Sequence, residues 1–192
     1  MISILAAMLL STNATAHQLV ESCRAMIPSN AEISGEINLR NRRGISLAKY
    51  DYRLVRSNGV TSLEVDGKKI DAAEGDEAGK SILKTDVTWS DLTLEYLWWD
   101  DFSFDEEKEA ESVHGQKCSV LLLKKGDRVV RVWVDRKTGA LMQAEELKSS
   151  KPIRRLWGTR IKKFGDRWMA NVMEVETLGS GHRTKITVKN FK

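Results

Sequence analysis

Apolar residues recur along this chain with two different periods, and the changes of period divide it into elements. Ile33, Ile37 and Leu39 alternate with Glu32, Glu36, Asn38 and Arg40, the pattern of a half-buried strand. Asn41 to Gly44 forms a basic turn, and Ile45 to Arg56 returns as a second strand with Tyr50, Tyr52 and Leu54 on one face. Asn58-Gly59, a dipeptide favoured in tight hairpins, leads into Val60 to Val65, which Asp66-Gly67 closes. Lys68 to Lys84 is polar and reads as a short strand plus loop. After Gly115 come further strand segments, Cys118 to Leu123, Val129 to Val134, Leu141 to Leu147, Ile153 to Lys163, Trp168 to Thr177 and Thr184 to Val188. Turns rich in Gly, Asp, Ser and Lys separate them. The spacing predicts an antiparallel meander of about nine or ten strands, too many to stay flat, which curls into a barrel or half-barrel.

Two stretches switch to the helical period. In residues 17–27 Leu19, Val20, Cys23, Met26 and Ile27 share a side, and Pro28 stops the pattern. In residues 85–104 Trp89, Leu92, Tyr96 and Trp99 fall at helical spacing, with Thr88 as N-cap and Asp91 three residues on, predicting one helix that ends near Asp100-Asp101. That stripe has to bury. It either seals an ordinary core or forms a lid over a cavity for an apolar ligand.

With 192 residues, 41% hydrophobic and 30% charged, the chain reads as one globular unit. No apolar run reaches the roughly 18 residues of a membrane-spanning helix. Ile2 to Leu10 is a short apolar run, and Ala14-Thr15-Ala16 after it fits a small-x-small cleavage site. Residues 1–16 therefore read as a signal peptide and residues 17–192 as a single exported domain, although no Lys or Arg precedes the apolar run; a fraying N-terminal helix is the alternative. Val20-Glu21-Ser22 before Cys23 is unsuited to a lipobox, which speaks against a lipid anchor. Cys23 and Cys118 are the only cysteines, and they permit one disulfide or two buried free thiols.

The net charge of +4 and pI near 9.0 raise nucleic-acid binding, but the distribution argues against it. Arg183, Lys185 and Lys189 alternate with apolar and hydroxyl residues as on a solvated strand face, and an acidic segment runs from Asp105 to Glu111. His17, His114 and His182 are dispersed, and the sequence holds no zincin, nucleophile-elbow or dinucleotide motif. Gly75 to Ser81 resembles a phosphate-binding loop, yet only three residues separate its glycines and two of them are Asp76 and Glu77. A non-enzymatic protein without metal or cofactor is expected. The large, soft residues of the C-terminal strands, Trp133, Met142, Trp157, Trp168, Met169 and Met173, are candidates for the inward face of a curled sheet. With Trp89, Leu92, Tyr96 and Trp99 above them they would line a hydrophobic cavity; the plainer alternative is that all ten simply pack the core.

The segments TDVTWSDLTLEYLWW, VWVDRKTGALMQAEEL and KKFGDRWMANVMEVETLGSGHRTKITV together resemble the LolA-like outer-membrane lipoprotein-sorting family, in its uncharacterised periplasmic branch. The likeness runs from about His17 to Lys192, and the D-R-K-T-G turn after a W-V strand is its most specific feature. It implies an unclosed antiparallel half-barrel, helices over its concave face, a periplasmic location, and a cavity that binds lipoprotein acyl chains or a related lipid. It further implies an inner-membrane releasing transporter and an outer-membrane acceptor as partners. The alternative within the same fold is a periplasmic signalling module that senses lipid or lipoprotein through a protein interface. An arginine at the cavity mouth is also implied, with Arg42, Arg43 and Arg53 as candidates.

Overall fold

The computed structural model describes residues 14–72, 75–108, 110–165 and 167–192. It is one antiparallel sheet, built from two meanders. The first contains β1 (Ala31–Asn41), β2 (Ser46–Ser57), β3 (Val60–Val65) and β4 (Lys68–Ile70). The second contains β5 (Asp101–Phe104), β6 (Ala110–Val113), β7 (Gln116–Lys125), β8 (Arg128–Asp135), β9 (Leu141–Lys148), β10 (Lys151–Phe164), β11 (Arg167–Thr177) and β12 (His182–Phe191). The spatial order β4-β3-β2-β1-β12-β11-β10-β9-β8-β7-β5 joins the meanders through the first and last strands, and β6 shares with β5 the free side of β7. Nothing joins β4 to β5 within the described sheet, so it is unclosed: of the barrel and half-barrel that the strand count allows, it is the form the family resemblance implies.

The turns form where the sequence puts its turn residues. Gly59, Gly67, Gly126 and Gly139 all take positive φ, the conformation that only glycine adopts without strain. Two strands go beyond the sequence reading. Asp101–Phe104 and Ala110–Val113 pair with the two halves of β7, where a helix end and a solvated strand or loop were expected. Between them the chain bulges, so that Asp105, 1% exposed, turns its carboxylate onto Arg131 Nε. A charged segment can pair as an edge strand because only one of its sides needs partners.

Connecting β4 to β5, the two edges, takes the chain across the whole face of the sheet. This strap, residues 71–100, contains a 3-10 turn (Gly75–Gly79), helix α2 (Trp89–Thr93) and a second 3-10 turn (Glu95–Trp98). Helix α1 (Ala16–Met26) lies beside its end, with Leu19, Val20 and Cys23 buried. The main core forms beneath strap and helix, from Val87, Trp89, Tyr96, Leu97 and Trp99 above and Ile37, Leu54, Leu121, Val132, Leu156, Val175 and Ile186 below. The phosphate-loop lookalike is only the first 3-10 turn, with Ala78 fully buried in that core. A second, smaller cluster of Val113, Cys118, Val120, Trp133 and Met142 packs on the opposite face.

Cys23 and Cys118 are both free. They lie in different clusters, and the Cys23 thiol donates to the Gly139 carbonyl at 3.2 Å while burial pushes its pKa up to about 12. The structure therefore favours the two-thiol alternative. Alkylation without reductant is expected to leave the folded protein unmodified and to add two labels once it is denatured, as read by intact mass. Gly35 marks the seam between the meanders, since a Cβ there would sit 1.8 Å from the Thr187 carbonyl oxygen. Gly35→Ala is expected to destabilise by roughly 2–4 kcal/mol, measured from denaturant midpoints.

Candidate functional site

The strap is not the continuous helix that its apolar spacing predicts. Thr88 caps α2 with the expected reciprocal contacts to Asp91, but the helix stops after five residues at Leu94, which adopts φ 54°. A left-handed leucine costs roughly 1–2 kcal/mol and a helix this short is unstable alone, so tertiary contacts have to impose the break. The break changes which residues face inward. Trp89, Tyr96 and Trp99 are buried as the periodicity predicts, Leu92 is half-buried, Leu97 joins the core, and Trp98 is 46% exposed.

Four arginines impose the geometry. Arg24 of α1 donates to the carbonyls of Leu97 at 2.6 Å and Trp99 at 3.2 Å. Arg56 of β2 reaches the Thr93 carbonyl and stacks over Trp98, 5.2 Å from the ring centroid. Arg154 of β10 donates to the Asp86 carbonyl and the Asp91 carboxylate. Arg128 of β8 donates to Glu95 Oε1 and to the Ser90 hydroxyl, each at 2.7 Å, and lies 5.1 Å from the Trp99 ring centroid. Glu95 in turn accepts from the Trp99 indole at 2.7 Å and from Ser90 at 2.8 Å. Breaking the helix leaves carbonyls without intrahelical partners, and the guanidinium groups of Arg24, Arg56 and Arg154 donate to carbonyls of the strap while Arg128 holds its side chains. The strap's start is anchored separately: Asp86, 1% exposed, accepts from the Thr184 hydroxyl at 2.9 Å and from the Thr177 amide at 3.1 Å.

Under α2 these charges enclose a cavity of about 20 Å³, lined by Ser90, Tyr96, Arg128, Glu146, Arg154 and Leu156 among others. That is room for about one water molecule, and the Tyr96 hydroxyl, buried without a hydrogen-bond partner, lies on its wall. Burial, opposed by Arg154 and Arg128, holds the Glu146 carboxyl above the usual carboxylate range. The apolar face is thus filled by its own strap. A second groove, about 560 Å³, lies on the other face between the 105–107 bulge and the Ser149-Ser150 turn, and it is lined by mixed charges.

Only part of the predicted cavity set comes together. Trp89, Leu92, Tyr96, Trp99 and Met173 pack in or against the main core. Trp133 and Met142 instead belong to the cluster on the opposite face, where the Trp133 indole donates to Glu111 at 2.9 Å. Trp157 lies on that opposite face too, under the Arg183 guanidinium at 4.8 Å. Met169 is half-buried outside both clusters, and the Trp168 side chain lies outside the described residues. Of the three arginines considered for the mouth, Arg42 and Arg43 are exposed in the β1–β2 turn and Arg53 pairs with Glu32 across the sheet at 3.0 Å. Among the described residues no group of His, Cys, Asp and Glu could hold a metal ion, and no helix is long and apolar enough to cross a membrane.

An open antiparallel sheet covered on one face by short helices is the LolA-like architecture, and the solved structures agree. The chain is similar to a LolA superfamily protein of Nitrosomonas europaea, with 14% identity, a TM-score of 0.70 and 94% of each chain covered. It is similar at a TM-score of 0.66 and 15% identity to a DUF1329 family protein of Desulfovibrio piger, covering 94% of this chain and 93% of that one. A putative outer membrane lipoprotein-sorting protein domain of Vibrio parahaemolyticus matches at a TM-score of 0.66 and 14% identity, over 92% and 89% of the two chains. Residues 67–192 match a family described as uncharacterized protein, and the chain belongs to that family. No curated protein matches the sequence.

Glu146 gives this site a signed pH response. Its folded-state pKa is raised, so ionising it opposes folding; the effect is absent well below the unfolded value near 4.5 and complete once the pH exceeds the folded pKa. Glu146→Gln is expected to match the parent in acid and to exceed it in stability at neutral pH, as denaturant titrations at the two pH values would read.

Proposed function

We propose that this protein is a non-enzymatic periplasmic carrier that holds an acyl chain of a lipoprotein, or of a related lipid, on the apolar face beneath the strap. The observation that carries the reading is the manner of closure. A broad apolar face is covered by a segment fastened largely through arginine contacts to carbonyls and carboxylates. When such a strap lifts, water solvates the charges it releases, so opening costs less than tearing apart an all-apolar seam. Uncovering Trp89, Tyr96, Leu97 and Trp99 costs roughly 6–12 kcal/mol at about 1.5–3 kcal/mol per side chain. One chain of about fourteen methylenes returns roughly 11 kcal/mol. The two nearly cancel, as reversible loading requires.

An exported form cleaved after Ala16 would begin at His17. It would lose Thr15, whose hydroxyl accepts from the Gln18 amide and whose amide donates back to the Gln18 side chain. The cap contributes about 1 kcal/mol, so processing loosens α1, one of the elements that holds the strap. Transfer from an inner-membrane releasing transporter to an outer-membrane acceptor belongs to the same proposal.

Protein purified from the periplasm of a Gram-negative host without detergent is expected to carry acylated peptide or lipid, identified by mass spectrometry, and to bind a fluorescent fatty acid when empty. An empty protein that ignores the probe would end the carrier reading. Arg24→Ala, which releases the Leu97 and Trp99 carbonyls, is expected to tighten probe binding by roughly tenfold, because less of the binding energy goes to opening. Unchanged or weaker binding in a folded variant would show that the strap does not move on loading.

A further inference from the structure

Beyond the strap, the hairpin of β10 and β11 extends past the pairing of its neighbours. β9 pairs with β10 no further than Trp157, and β12 pairs with β11 no further than Val172. Past those positions the hairpin continues as a two-stranded arm, with Lys162 opposite Met169, Lys163 opposite Trp168 and Phe164 opposite Arg167. The six residue steps from Gly158 to Phe164 span roughly 20 Å. Two unsupported strands are marginal in water, so an arm of this kind gains from a partner surface.

Its charge is unlike that of the rest of the sheet. Residues 159–169 hold Arg160, Lys162, Lys163 and Arg167 against a single Asp166, a net +3 in a chain whose total is +4. Elsewhere several strand cations are matched, Arg40 with Glu174, Arg53 with Glu32, Arg183 with Glu174 and Glu176, and Lys189 with Glu36 and Asp51, and the strand lysines unpaired among the described residues, such as Lys117 and Lys185, are not gathered beside a large aromatic ring at one tip. On the arm Arg160, Lys162 and Lys163 are exposed and, among the described residues, have no ion pair. The apolar companions are large. Phe164 is half-buried, with Lys162 Nζ 5.1 Å from its ring centroid and the Phe191 ring 6.2 Å away. An aromatic ring set among lysine and arginine on an exposed strand pair fits a bilayer interface, where rings rest at headgroup depth and cations meet lipid phosphates. The exposed Val60, at the β2–β3 turn, lies at the same end of the sheet.

We infer that the β10–β11 arm is a docking element for an anionic phospholipid surface, bringing this end of the sheet against the membrane. The inference is independent of what lies beneath the strap. It is tested by flotation of the full chain with vesicles of phosphatidylcholine alone and of phosphatidylcholine and phosphatidylglycerol in equal parts. Binding to the anionic vesicles alone, released by high salt, is expected. R160Q/K162Q/K163Q is expected to bind them on the order of 100-fold more weakly, from about one headgroup interaction per cation, while retaining its fold and its affinity for the fatty-acid probe. Phe164→Ala is expected to weaken binding to the anionic vesicles by a smaller factor than the triple variant does. Equal binding to neutral vesicles, undiminished binding by the triple variant, or binding to an acidic protein or nucleic acid without binding to vesicles would overturn the proposal.

Discussion

The structure rests on one topological constraint: the chain has to travel from one edge of an open sheet to the other. β4 and β5 are consecutive in sequence and outermost in space, about ten strand spacings of roughly 4.8 Å apart along the sheet. The crossing can go only over a face, and the apolar face is where it buries most. A segment that spans such a width while following a twisted surface cannot be one straight helix, and the carbonyls it frees need donors. Arg24, Arg56 and Arg154, from a helix and two strands, provide them, while Arg128 of a third strand holds the Glu95 carboxylate and the Ser90 hydroxyl. Each supplies several N–H groups in a planar fork, which suits carbonyl and carboxylate partners that follow no regular repeat.

That dependence explains what could be read from the sequence and what could not. The strands and their order around the turns at Asn58-Gly59, Lys125-Gly126-Asp127 and Asp135 to Gly139 were legible because turn chemistry and alternation are local. The open LolA-like sheet followed from their number and from the family resemblance. The helix over Thr88 to Trp99 was half right: its cap and its three buried aromatics are there, while its continuity is not. Periodicity records which residues prefer to be buried. It carries no information about an arginine some 60 residues away that fastens the segment in another shape, as Arg154 does to Asp91.

The misplaced tryptophans and methionines share a cause. In a strand such as Arg128–Asp135 both faces are buried and each carries large apolar residues, so apolar size alone cannot say which one meets the strap. Parity could have helped: Val130, Val132 and Val134 form an unbroken series facing the main core, which puts Trp133 on the other side. The same parity places Arg154 two residues from Leu156 on the covered face, a cation where a strand should be apolar. A charged residue in an inward position was the available sign of the clamp, and it went unread because the surface explanation of basic residues holds for most of this chain.

Strap and arm make different demands on the same two strands. β10 bears Arg154 near its start and the cationic arm at its end, and β11 runs from that arm back to Thr177, which holds Asp86. Clamp and arm tip are thus about ten residues, roughly 33 Å, apart along a paired ladder. Over the stretch between Arg154 and Trp157 the ladder is flanked on both sides and therefore stiff, whereas the arm has no flanking strand. A surface held by the arm consequently fixes the orientation of the sheet without drawing on the contacts that close the strap. If the arm docks and the strap opens as proposed, contact with a membrane and release of the covered face are separate events, and docking alone would leave the apolar face shut.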